Sequence, residues 1–139
     1  MATPRSTALL SRRARNRRAQ LRRAQEWAYE AHELTGSHGS RIEFARLPRH
    51  ILGAATFSGI LLNYRVWGSH TAAFRREIVF HEVAHVVAGP GTGHGPAWCA
   101  VMDALGYPAG SISRVDAYLG ESSDHAEAAR VRLRVPYTI

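Results

Sequence analysis

An α+β domain is what this sequence predicts: a small antiparallel sheet packed on a central helix, with a long helix at the N-terminal end. Three observations carry that reading. Apolar residues recur at helical spacing in the first quarter of the chain and again around residues 74–85, residues 41–66 hold short strand-like runs separated by turn residues, and Gly/Pro clusters punctuate the boundaries between them. With 139 residues, 45% of them hydrophobic, the chain can bury one ordinary core.

The first helix is expected over about residues 6–35. Leu21, Ala24, Ala28, Ala31 and Leu34 share one face, with Trp27 beside them as a packing anchor, and Gly36-Ser37-His38-Gly39-Ser40 ends the run. Only the second half of this helix is apolar-faced, so it packs on the domain while the first half projects. Arg41-Ile42-Glu43-Phe44 alternates as a strand does. Ala54-Ala55-Thr56-Phe57 and Ile60 to Val66 read as a hairpin turning at Ser58-Gly59, and the run 60–66 is the candidate free edge for pairing with an extended chain. A central helix follows over about residues 72–88, capped by Ser69 or Thr71 and stopped by Gly89-Pro90-Gly91, with Phe74, Ile78, His81 and His85 on one side. Pro96 to Leu105 forms the last helix, with Trp98, Val101, Met102 and Leu105 inward and Gly106 and Pro108 beyond its end. Residues 111–128 are polar and ambiguous, and 130–135 alternate as a half-exposed strand with arginines on one face.

Charge divides the chain in two. Eight arginines and no acid fall in residues 1–25, whereas residues 26–139 hold ten arginines against eleven acids, so almost all of the net +7 belongs to an N-terminal arm and the domain at 26–139 is close to neutral. Arg12, Arg13, Arg15, Arg17, Arg18, Arg22 and Arg23 are the candidate nucleic-acid contacts, through counterion release from phosphates. No base-reading motif accompanies them, so any DNA contact is expected to be independent of sequence. A solvated terminus, an acidic protein partner, an anionic membrane surface and an import peptide are the competing readings. No run of about 18 apolar residues is present to span a membrane. The lack of an apolar leader and the single cysteine, Cys99, point to the cytoplasm, and the use of arginine to the exclusion of lysine points to a GC-rich bacterial or phage genome.

The chemistry is concentrated in His81-Glu82-Val83-Ala84-His85. Two imidazoles four residues apart on a helix lie on one face, one turn apart, where both can reach a single Zn²⁺. Glu82 between them is placed to accept a proton from water activated by the metal, the minimal chemistry of metal-assisted peptide hydrolysis. Catalytic zinc takes a third protein ligand. His94, delivered by the flexible Gly89–Gly93 loop, is the leading candidate, with Glu121, Asp124 and His125 as alternatives. Tyr64, His70, Tyr107 and Tyr118 are candidate donors to an oxyanion, and Asp103 and Glu77 candidate orienters of the histidines.

His81-Glu82-Val83-Ala84-His85, then Gly93-His94-Gly95-Pro96 with Trp98, then Met102 and Leu105-Gly106, resembles the SprT-like zinc metalloproteases, a family that includes the Spartan DNA-repair proteases. The resemblance covers roughly residues 40–110 and is strongest at 81–106. It implies a zincin-like minimal metalloprotease domain, one Zn²⁺ per chain on His81, His85 and His94, Glu82 as the general base, and a protein or peptide substrate, on or near DNA. Many members carry a cysteine-rich zinc ribbon, and one cysteine cannot form it. A zinc peptidase unrelated to nucleic acid, cleaving a regulator, is the second expectation. A non-catalytic module held together by zinc is the third, and it gives Glu82 no task.

Overall fold

The computed structural model describes residues 4–56, 58–89 and 93–107. In chain order the elements are α1 (Pro4–Thr35), β1 (Ile42–Ala45), β2 (Gly53–Thr56), β3 (Gly59–Asn63), α2 (Tyr64–Trp67), α3 (Ala72–Ala88) and α4 (Pro96–Ala104). The expected segments at 111–128 and 130–135 lie outside the described residues.

Helix α3 runs through the middle of the domain. The Thr71 side chain accepts from the Phe74 amide at its start, and the Gly89 amide returns to the His85 carbonyl at its end. From Glu77 to His85 every residue is buried, polar ones included. A helix enclosed on all sides is not fitted by a single apolar stripe. Three elements enclose it: α1 through Ala24, Trp27, Ala28 and Ala31, the sheet through β2 and β3, and α4 through Trp98 and Met102. Three of these four α1 residues are alanines, and Trp27 is the one bulky side chain among them. Leu34 does not join this face as expected but is 54% exposed, one turn past the last buried residues of α1.

The sheet is mixed, with strand order β1-β3-β2, which corrects the expectation of an antiparallel one. β2 and β3 form the expected antiparallel hairpin, but β1 lies parallel to β3 on its other side, Ile42 opposite Ile60 and Phe44 opposite Leu62. Alternation identifies a strand without giving its direction. Residues 46–52 carry the chain across the end of β3, and Leu47 and Ile51 pack there against Leu61. Both faces of β3 are therefore covered, which is why Ile60-Leu61-Leu62 reads as an unbroken apolar run. β3 is the central strand, so the expected free edge at 60–66 does not exist there, and β2 is an outer strand instead. Gly59 makes the turn possible: its φ is +148°, and a Cβ there would strike the Arg41 carbonyl where β1 enters the sheet.

The strand expected to continue to Val66 stops at Asn63. Its buried side chain caps α2 and fills all four of its hydrogen-bond sites: Oδ1 accepts from the Leu47 and Arg65 amides at 3.2 and 3.1 Å, and Nδ2 donates to the Pro48 and Ile51 carbonyls at 2.8 and 2.7 Å. At the other end of the sheet, His32 bonds Ser37 and Ser40 through its two ring nitrogens, both at 2.7 Å, and ties the end of α1 to the loop before β1. Burial, then the charge of His38, holds its pKa below the usual imidazole value. Asn63 is the more heavily committed of the two. Replacing it with Ala leaves several interior backbone groups without their partner at about 1–3 kcal/mol each. A loss of about 3 kcal/mol or more in urea unfolding is expected, and an unchanged midpoint would contradict this role.

Candidate metal centre

His81 and His85 reach the interior because α3 does, and they are 2% and 7% exposed. Their partner comes from the next turn: Gly93, at φ +58°, reverses the chain and His94 follows, half-buried. The three Nε2 atoms converge to a near-equilateral triangle, with His81–His85 at 3.2 Å, His85–His94 at 3.0 Å and His94–His81 at 3.1 Å. Hydrogen bonding alone does not account for this triangle. A neutral ring nitrogen is either donor or acceptor, so among three at least two are alike and at least one contact joins like with like. A cation taking a lone pair from each nitrogen removes that conflict. Zinc–imidazole bonds of about 2.0–2.1 Å in a tetrahedron separate the nitrogens by about 3.3–3.4 Å, close to the separations here. Among the described residues, His81, His85 and His94 are thus a group that can hold a metal ion.

Trp98 forms one wall of the site. Its ring lies 4.3 Å from that of His94, 4.8 Å from His81 and 5.5 Å from His85, and its Nε1–H donates to the His81 carbonyl at 3.2 Å. Placed one turn after His94 on α4, it fixes the position of the loop ligand relative to the helix ligands. The Cys99 thiol donates to the His94 carbonyl at 3.4 Å and steadies the same turn. Glu82 is 6% exposed and packs beside the first residue of β2. Glu82 follows His81 in sequence and lies in the same fully buried stretch of α3.

The remaining candidates separate. Glu77 is fully buried on α3, four residues before His81. Asp103 is exposed on α4. Tyr107 accepts from Arg76 at 2.9 Å and packs edge-on against Phe80, and Arg76 also reaches Glu30 at 2.7 Å, so this group joins α1, α3 and the end of α4. His70 packs on Phe74 before the start of α3, about 14 Å of helix rise from His81. Its pKa is lowered by burial, then by the charge of Arg75. Tyr64 is 43% exposed under the Arg17 guanidinium. The contacts of these three candidates include Arg17 for Tyr64, Phe74 for His70, and Arg76 and Phe80 for Tyr107. Tyr118, Glu121, Asp124 and His125 lie outside the described residues. Sequence reasoning missed Gly53, for which the one signal was a glycine at the start of a strand-like run.

Arg12, Arg13, Arg15, Arg17, Arg18, Arg22 and Arg23 are all exposed on α1, which continues unbroken past residue 25. At roughly 100° per residue they are distributed around the helix rather than along one stripe. Among the described residues, Arg17 lies over the Tyr64 and Phe44 rings at 4.3 and 5.9 Å, and Arg23 pairs with Glu26 at 3.0 Å and lies over Trp27. Among the described residues no helix is long and apolar enough to cross a membrane.

Because Trp98 touches all three imidazoles, metal binding is expected to change tryptophan emission, with saturation near one Zn²⁺ per chain. The change should disappear in Trp98→Phe and binding should weaken strongly in His94→Ala. An emission change that survives Trp98→Phe would show that Trp27 or Trp67 reports the metal, and that the site lies elsewhere.

No match is found among curated proteins or among solved structures. The model of the SprT-like family, however, matches residues 14–117, a span that takes in most of α1, the whole sheet, the three converging histidines and Trp98. A match over that much of the chain, ligand triangle included, makes this chain a member of the SprT-like family.

Proposed function

We propose that the chain is a zinc-dependent endopeptidase acting on protein substrates on or near DNA. The observation that carries the reading is the convergence of the His81, His85 and His94 Nε2 atoms within 3.2 Å of one another, with the buried Glu82 carboxylate beside them on the same helix. The residues fit zinc: three neutral imidazoles leave a position for water, the ligand set of catalytic rather than structural sites. Zinc held there supplies a Lewis acid and makes water acidic near neutral pH. Glu82 is the proton acceptor in this scheme, taking the proton from the attacking water and returning it to the leaving amine. Trp98 closes one side of the site and keeps bulk water from the imidazoles. An extended substrate pairs with β2, the outer strand whose first residue packs beside Glu82, so that main-chain hydrogen bonds hold it and side-chain pockets select it.

The exposed arginines of α1 support the nucleic-acid part of the reading. Arg12, Arg13, Arg15, Arg18 and Arg22 have no role in the core and stand where phosphates can reach them.

Two experiments test the parts separately. Glu82→Gln should lower peptide hydrolysis by roughly 10²–10⁴-fold, the usual contribution of a positioned acid–base group, while zinc content stays at the wild-type level. Hydrolysis at the wild-type rate would remove Glu82 from the chemistry. Changing Arg12, Arg13, Arg15, Arg18 and Arg22 to Gln should weaken DNA binding and flatten its salt dependence, by about 0.9 in slope for each phosphate that is no longer neutralised. An unaltered slope would refute the role of these arginines in binding DNA.

A further inference from the structure

Gly36, Gly59, Gly89, Gly93 and Gly106 have positive φ, a conformation that itself favours glycine. Gly53 does not. It opens β2 opposite Leu62 in a conformation available to any residue, in a strand, where glycine is a poor choice unless something approaches closely. Something does. A Cβ built on Gly53 would stand 3.2 Å from Cγ and 3.5 Å from Cδ of Glu82, and 3.1 Å from the Leu61 carbonyl oxygen. Ordinary carbon contacts are about 3.5–4.0 Å, so a side chain here forces a neighbour to move. The Leu61 carbonyl belongs to the central strand, paired on both sides. The Glu82 side chain is the softer neighbour, and a shift at its Cγ is carried outward to the carboxylate.

We propose that Gly53 is a positioning residue whose missing side chain sets the place of the Glu82 carboxylate against the histidine triangle. This rests on the peptidase reading for its functional meaning, while the contact itself can be tested without it. The three atoms nearest to a Cβ at Gly53 belong to Leu61 and Glu82, so a substitution there presses first on the proton acceptor.

The test is a four-member cycle of the full chain, metal-free and zinc-loaded: wild type, Gly53→Ala, Glu82→Ala and the double variant, followed by thermal unfolding. Gly53→Ala should lower Tm in the presence of Glu82, and lower it distinctly less once the Glu82 side chain is gone. Should Gly53→Ala fail to fold while the double variant folds, the coupling is the same in kind. Equal losses in both backgrounds, or failure of both variants to fold, would assign the glycine to the Leu61 carbonyl and overturn the proposal. In peptide hydrolysis Gly53→Ala should lower kcat by about 10- to 100-fold, the penalty for displacing a reacting group by up to an ångström. KM and zinc content should stay unchanged. An unchanged kcat would overturn the positioning role. Absence of hydrolysis by the wild type, with the coupling intact, would remove the peptidase reading and leave the contact between Gly53 and Glu82 standing.

Discussion

Bringing three imidazole nitrogens together, two from buried side chains and one from a half-buried one, is the constraint on which this fold depends. Polar groups are costly to bury unless matched, and nitrogens of the same kind at 3.0–3.2 Å repel. The rest of the chain reads as the means of holding them. α3 is enclosed by α1, the sheet and α4, so the helix ligands cannot turn toward solvent, and Trp98 links the loop ligand to the helix through its bond to the His81 carbonyl. A cation would resolve the repulsion, and an ion binding the assembled site would add its binding free energy to stability.

α1 has two kinds of surface along one continuous helix. Its C-terminal half provides small residues against α3, and a cluster of Arg76, Glu30 and Tyr107 reinforces the contact at its rim. Its N-terminal half carries charge, yet it is not wholly unattached, because Arg17 lies over Tyr64 and Phe44. Guanidinium–aromatic contacts at exposed sites are worth about 0.5–1 kcal/mol. That is enough to favour one position of the helix and too little to hold it against a stronger ligand.

Much of this was legible in the sequence, and the reason differs by element. The bounds of α3 followed from Thr71 and Gly89, which act through local hydrogen bonds, and the hairpin at Ser58-Gly59 followed from turn chemistry. His94 was legible because glycines flank it. The direction of β1 was not, since parallel and antiparallel strands share one alternation and a crossover decides between them. Nor was the end of β3: Tyr64, Arg65 and Val66 all suit a strand, and Asn63 turns the chain by bonds to Leu47, Pro48 and Ile51, which sequence spacing does not reveal. Gly53 stands out in the sequence only as a glycine beside a strand-like run, because its meaning lies in the atoms of another element that approach it.

The separation along the chain of these two kinds of contact has a kinetic consequence. His81, His85, His94 and Trp98 all belong to one short stretch, two helices and the turn between them, whose closure has a small entropic cost. The seat of Glu82 is made by β2, far upstream, and needs the sheet to be in place. Contacts of low sequence separation form early and distant ones late. A chain still folding can therefore bring the three imidazoles and Trp98 together before β2 reaches Glu82.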